Sequence, residues 1–272
     1  MNAGPLLQGL YVHPIKSCRG IALQRAQVVA TGLAHDREWM LVDSSGRFIT
    51  QREQPRLTQV ATALDDAFLH VDIASHGDIR LPLDHEGELR EVEVWRSRVP
   101  AFDAGAEAAA FFSAWLGAPA RLVRFDPAQR RYANRAWTGG IAAPNLFSDG
   151  YPVLVLSDAS RLDLSARVGR DLPVERFRPN LLLGNVSAYA EDAAATVQVG
   201  SVALRLGKPC TRCVITTLDP DTGEAGGDEP LRTLRSYRYD AGLRGVTFGR
   251  NAVLLPGSAG QWLQVGQPLQ LR

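Results

Sequence analysis

The sequence predicts a mainly β protein with flanking helices, an α+β chain whose first half is barrel-like. Three observations carry that expectation. Short runs rich in β-branched and aromatic residues recur through the first hundred residues, with turns between them. That spacing favours a barrel or a strongly bent sheet. Residues 68–73, Phe-Leu-His-Val-Asp-Ile, alternate apolar and polar side chains as a half-buried strand does. The first convincing helical stretch arrives only at 104–116, after most of those strands.

Taken in order, residues 10–12, 27–29 and 39–42 read as strands, and Asp43-Ser-Ser-Gly46 turns the chain into another at 48–50. Segments 79–83 and 91–95 continue the pattern. Asp103 stands as the N-cap of the alanine-rich helix 104–116, with Phe111, Phe112 and Trp115 as core anchors and Gly117 as its stop. A strand at 121–125 follows. The composition change near 117–121 divides the chain into domains 1–118 and 119–272. From 126 to 144 the periodicity fails, and Arg130, Arg131, Tyr132, Asn134, Arg135 and Trp137 precede Gly139-Gly140. A loop this long without structure of its own is functional or disordered, either a substrate mouth or a solvated segment. Beyond it, 152–156 is an apolar strand, and Ser157 caps a helix through Val168 that Gly169 stops. An apolar run at 181–183, a hairpin over 197–206 turning at Gly200-Ser201, a short helix at 230–237 and strands at 252–255 and 268–271 complete the chain.

Charge and cysteine content narrow the function. Thirty basic and 29 acidic residues leave a formal charge of +1, so any anion site must be local and no nucleic acid polymer is expected as a partner. No apolar run approaches the roughly 18 residues of a membrane helix. The N-terminal stretch has no basic region followed by a signal-type apolar core, so a cytoplasmic protein without a membrane partner is expected. The three cysteines, Cys18, Cys210 and Cys213, are too few for a four-thiolate iron–sulfur cluster. A zinc site built on Cys210 and Cys213 would need a second ligand pair. A dithiol redox pair would open a helix, whereas Val214, Ile215, Thr216 and Thr217 are β-branched and read as strand. A thiol beside a guanidinium, here Arg212, is a metal-ligand or nucleophile environment.

Several separated motifs point further. YVHPIKSCRG and HDREWMLVD in the first half, and FSDGYPVLVLSDAS, RFRPNLLL and KPCTRCVITTLDPDTGE in the second, occur in one order along the chain. Together they resemble the MOSC proteins that carry an N-terminal β-barrel domain. This branch includes the mitochondrial amidoxime-reducing component and bacterial proteins that reduce N-hydroxylated compounds. The resemblance implies an N-terminal β-barrel-like domain and a MOSC β-barrel domain, with a molybdenum–molybdopterin cofactor in the cleft between them. It makes Cys213 the catalytic residue and the molybdenum ligand, and Cys210 a non-ligand. Lys16, Ser17, Arg37, Arg178, Asn180, Thr211 and Arg212 match cofactor-contacting positions. Two departures stand out. Gly150 and Tyr151 replace a pair of hydroxyl residues found in some members, which implies contact through backbone N–H groups. Asn251 stands where some members have tyrosine, and can still donate and accept hydrogen bonds.

The physical reading agrees. A dithiolene-held molybdenum brings two sulfurs of its own, so the protein need add only one soft thiolate. The cofactor's phosphate calls for guanidinium and ammonium donors. The implied activity is removal of oxygen, at molybdenum, from small N-hydroxylated substrates: amidoximes, hydroxylamines and N-hydroxylated bases. The chain has no Gly-x-Gly-x-x-Gly after a strand, so electrons are expected from a separate donor protein, a ferredoxin-type or flavin reductase. Pyridoxal phosphate is not expected, because Lys16 and Lys208 are the only lysines and neither lies in a pyridoxal motif. Two competing classes are a molybdenum cofactor carrier and a persulfide sulfur-transfer protein using Cys213. Cys18 reads as a small buried hydrophobe. His13 and His35 are candidates for proton delivery.

Overall fold

The structure is a computed structural model that describes residues 4–272, so residues 1–3 of the N-terminal stretch lie outside the description. It is mainly β with flanking helices. The largest sheet runs Ile21–Leu23, Leu6–Val12, Leu181–Gly184, Val153–Ser157, Gly245–Leu254, Val202–Thr211, Thr196–Val199 and Leu269–Leu271. Its two ends meet. Leu7 N–H donates to Gln267 O at 2.9 Å, Gly266 N–H donates to Leu7 O at 2.8 Å, and Leu6 bridges Pro268. Closing the sheet this way removes its open edges. Leu7, Val12, Val155, Leu183, Val197 and Leu204 fill the interior, each essentially inaccessible to solvent.

The other body is built from a four-stranded sheet and a three-stranded meander. The sheet runs Trp39–Asp43, Ala120–Phe125, Ser97–Asp103 and Leu89–Val94, and the meander is Ala61–Leu64, Phe68–Ile73 and Gly77–Pro82. Helix Ala106–Leu116 lays Phe112 against Trp39, Leu41 and Leu122. Truncating such a buried phenylalanine to alanine typically costs about 3–5 kcal/mol. Phe111 and Trp115 only border this core. Gly117 ends the helix in the left-handed conformation, at φ 69°.

The two bodies exchange segments across the sequence division at 118/119. Strand Leu6–Val12 belongs to the second barrel, and Ala120–Phe125 pairs with Trp39–Asp43 of the first body. The connection between Leu6–Val12 and Trp39–Asp43 therefore passes from one body to the other. It carries Lys16, Ser17 and Arg37.

Four local expectations need correction. Residues 48–50 form only a bridge to Val42, not a strand. Asp103 ends strand Ser97–Asp103 instead of capping a helix, and Gly105 takes the N-cap position. Its carboxylate accepts from Gly105 N–H and Arg121 Nη1, both at 2.8 Å, and from Arg90 Nε. The 126–144 segment is not structureless, since Arg131–Tyr132 pairs with Pro144–Asn145 around the one-turn helix Arg135–Trp137. The fourth concerns the cysteine segment. Val214–Thr217 is a 3₁₀ turn, because Thr216 and Thr217 hydroxyls donate back to the carbonyls of Cys213 and Val214, at 2.9 and 2.8 Å. Such back-bonding satisfies the backbone locally and outweighs the β preference of these residues.

Candidate functional site

All eleven residues singled out from the sequence line one cleft: Lys16, Ser17, Arg37, Gly150, Tyr151, Arg178, Asn180, Thr211, Arg212, Cys213 and Asn251. They arrive from separate segments. One end of the cleft is a cradle of buried cations. Lys16, 5% exposed, donates through Nζ to Phe147 O at 2.8 Å and also to the Asp149 carboxylate. Arg37 Nη1 holds both oxygens of Asp36, at 2.7 and 2.6 Å, and reaches Asn180 Oδ1 at 3.2 Å. Its Nη2 donates to Arg178 O at 3.2 Å. Arg178 Nη1 in turn donates to Cys18 O at 2.5 Å.

Asn180 ties these elements together. Its Oδ1 also accepts from Leu154 N–H at 3.0 Å, and its Nδ2 donates to Tyr11 O at 3.1 Å. The turn residue of the Arg-Pro-Asn motif is thus a buried fastener between strand Leu6–Val12 and strand Val153–Ser157. Ser17, Arg37 and Arg178 all adopt left-handed backbone, with φ of 65°, 50° and 55°. For non-glycine residues this conformation costs of the order of 1–3 kcal/mol each and clusters at functional sites.

Electrostatics follow from this crowding. Burial, reinforced by the neighbouring Arg37 charge, pulls the Arg178 pKa down to about 10. Burial also lowers that of Lys16, although Asp149 opposes the shift. Burial works against ionisation of Asp36, yet Arg37 and His13 hold its carboxyl down at about 2. Asp149 is exposed, and the neighbouring Lys16, with Trp95 and Arg37, keeps its carboxyl well below the ordinary carboxylate range.

The other end is built by strand Val202–Thr211, which leaves the barrel through two irregularities around Pro209 and delivers Cys210 and Thr211. Arg212 follows, its N–H donating to Val246 O at 2.9 Å and its Nη2 to Phe177 O at 2.7 Å. Its Nη1 lies 3.1 Å from Cys210 Sγ, so this guanidinium sits against Cys210. Cys213 stands at the start of the 3₁₀ turn, with Arg52 Nη2 3.9 Å from its Sγ. All three cysteines are free. Cys18 is fully buried, and burial pushes its thiol up to about 12, which leaves it inert.

The histidines stay out of the cleft. His13 is buried, and desolvation, with Arg37 and Arg178 nearby, drives its pKa well below the ordinary value. His35 sits 3.1 Å from Glu38. Sequence reasoning missed Gln51, Arg52, Trp95, Asp149 and Arg176, all of which line the cleft. Asp149 was inside a quoted motif, and its place between two basic motifs was the available signal. Asn251 is present, with Nδ2 donating to Lys208 O at 3.2 Å.

A phosphate-bearing pterin can be tested against the donors. Lys16, Arg37, Arg52, Arg176, Arg178 and Arg212 line the cleft with one carboxylate, Asp149, in a chain whose net charge is +1. Arg176 Nε, Arg212 Nε, Tyr151 OH and Ser148 Oγ are buried without hydrogen-bond partners. Buried polar atoms are nearly always paired, so these four orphans suit a cleft that takes a polar ligand, although others lie elsewhere in the fold. Among the described residues, no group of three or more His, Cys, Asp or Glu side chains converges on a metal position. Any metal here must bring most of its own ligands. The residues fit the group.

Residues 4–119 match the family model described as the MOSC N-terminal beta barrel domain, and residues 143–270 match that of the MOSC domain. The chain belongs to the MOSC-domain family, in its two-domain form. It is 33% identical over 272 residues to mitochondrial amidoxime-reducing component 1 of Mus musculus, covering 97% of this chain and 78% of that protein. It is also 33% identical over 243 residues to mitochondrial amidoxime reducing component 2 of Bos taurus, covering 84% and 71% respectively. Among solved structures, the YuaD protein of Bacillus subtilis aligns with 97% of this chain and 93% of its own, at 11% identity and a TM-score of 0.44. No helix among the described residues is long and apolar enough to cross a membrane.

Proposed function

We propose that this chain is a molybdenum-cofactor-dependent reductase of small N-hydroxylated substrates. The observation that carries the reading is the convergence of eleven motif residues on one cationic cleft, with the half-exposed thiol of Cys213 beside Arg52. The names of the amidoxime-reducing relatives support the substrate class.

When bound, the cofactor would supply two-electron, oxygen-removing chemistry through its molybdenum, with Cys213 as the one sulfur ligand from the protein. The chain's own residues then have separable tasks. Lys16, Arg37 and Arg178 bind the anionic end of the cofactor with charge-assisted hydrogen bonds. Ser17, Thr211, Arg212 and the 150–151 backbone orient it, and Asn180 keeps Arg37 aimed. Tyr151 and Asn251 close the side of the cleft. Converting N–OH to N–H and water consumes two electrons and two protons. The electrons come from a separate protein, a ferredoxin-type or flavin reductase.

The test is a turnover assay on purified, molybdenum-loaded protein. We expect reduction of an amidoxime with a viologen dye as donor, none with NADH or NADPH alone, and restored nucleotide-dependent turnover when a reductase is added. Robust NADH-driven turnover by the pure chain would overturn the separate-donor assignment. Inactivity with the viologen at full molybdenum loading would make the chain a cofactor carrier.

A further inference from the structure

Trp95 breaks a local rule. It is the first residue of the two-residue turn joining Leu89–Val94 to Ser97–Asp103, since Val94 and Ser97 are paired. Its φ is 56°, a left-handed value that hairpin turns normally give to Gly, Asn or Asp. A bulky aromatic held there against its preference is a candidate for function.

Its surroundings hold it over the cleft. The indole Nε1–H donates to Asp149 Oδ1 at 3.0 Å, and the ring centroid lies 5.1 Å from that of Phe48. Even so, 40% of the residue remains exposed. The Arg52 guanidinium lies 4.8 Å from the ring centroid. The same guanidinium places Nη2 3.9 Å from Cys213 Sγ. Arg52 projects from a braced turn, in which Thr50 N–H donates to Glu53 Oε2 at 3.1 Å and Gln51 Nε2 donates to Ser17 O at 2.7 Å.

We infer that the face of Trp95 is the seat for the planar N–C–N group of the substrate, and that Arg52 is a displaceable arm resting on it. The chemistry of the occupant carries the inference. A guanidinium is a planar carbon bonded to three nitrogens, and so contains the planar N–C–N unit of an amidoxime and of the amidinium that its reduction leaves. The structure therefore holds, between an aromatic face and the Cys213 thiol, a group shaped like the reacting part of such a substrate. A planar, delocalised N–C–N group gains from stacking on indole, and the cationic product gains also from the ring's negative face. An aliphatic hydroxylamine has a single tetrahedral nitrogen and gains neither. Trp95 thereby becomes the residue that selects among N-hydroxylated compounds. This rests on the reductase reading above.

The test uses holoprotein with a viologen donor, benzamidoxime as the planar substrate and cyclohexylhydroxylamine as the non-planar one. Trp95→Ala should raise the KM for benzamidoxime about five- to tenfold, the scale of an aromatic stacking contact, with kcat within about twofold. The KM for cyclohexylhydroxylamine should not move. Trp95→Phe keeps an aromatic face but loses the Asp149 bond, and should stay within about threefold of the native enzyme. Independently of turnover, benzamidine should quench native tryptophan fluorescence, and should bind Arg52→Ala severalfold more tightly because the seat is vacated. The inference falls if Trp95→Ala shifts both substrates equally or neither. It also falls if Arg52→Ala, which leaves the hairpin untouched, binds benzamidine no better than the native protein. Failure of the native enzyme to reduce either substrate defeats the reductase reading instead, and the benzamidine titration still decides the fate of the seat.

Discussion

The two ends of the cleft are built on opposite principles. At the Lys16–Arg37–Arg178 end, each cation is tied to backbone carbonyls or carboxylates, and Arg37 and Arg178 are further locked by left-handed backbone. At the Cys213 end, the recorded partner of the thiol is Arg52, 3.9 Å away and exposed. The contrast separates holding from reacting. Donors that must meet a fixed anion are preorganised, since disorder there would have to be overcome each time the ligand binds. The Cys213 thiol, which the proposed function assigns to the metal, has no such close partner.

The largest effect expected from this contrast is at the open end. Cys213→Ala should abolish reductase activity and remove one sulfur neighbour from the molybdenum X-ray absorption spectrum, whereas Cys210→Ala should keep most activity. Equal losses in both variants, with the metal's surroundings unchanged, would favour a dithiol or persulfide role and dissolve the distinction.

At the held end the expected damage is to loading. Arg178→Ala and Arg37→Ala should each weaken cofactor retention by about 2–5 kcal/mol, the usual penalty for stripping one partner from a buried charged pair. Molybdenum and pterin content per chain should fall accordingly. Full occupancy in both variants would mean that the phosphate lies elsewhere.

Acid should separate the ends as well. Asp36, held at about 2 in the fold, is depressed below an unfolded carboxylate near 3.9. The stability it contributes is fully present above about pH 4 and disappears as pH falls through about 2. Thermal melts of the native protein should lose stability across that window, and Asp36→Asn should flatten the loss. An unchanged slope would detach Asp36 from the cradle's stability.

The smallest effect is expected at Gly150. A Cβ built there would meet no atom within 4 Å. Gly150→Ala should therefore change stability by less than about 0.5 kcal/mol and leave cofactor content intact. A large loss of cofactor would show that the ligand approaches the backbone at this point more closely than the cradle at the other end implies.

The cleft was legible in the sequence because its residues lie in separated motifs that together resemble the MOSC proteins; taken singly, Lys16 and Arg37 read as surface charges and Asn180 as a turn residue. Arg52 and Trp95 had no such marking. Arg52 lies in a turn of mixed polarity, and Trp95 passes for the last residue of an alternating strand, so only the fold brings them to Cys213. Strand Ser97–Asp103 was hidden by Pro100, which pairs with Glu91 on one side but lies outside the run matched to Ala120–Phe125 on the other. The 3₁₀ turn after Cys213 escaped because β-branched residues signal strand by composition, and hydroxyl back-bonding is invisible until the backbone is placed.

The closure of the large sheet has a consequence for how the protein comes into being. Strand Leu6–Val12 leads directly to Lys16 and Ser17, yet its partners around Pro268 follow only after most of the described chain. A pairing between such distant positions carries a heavy loop-closure cost and makes for slow folding. The segment that carries Lys16 and Ser17 is therefore made long before the barrel behind it can shut. Closure of the barrel waits on strand Leu269–Leu271, and a defect there would be felt at Lys16.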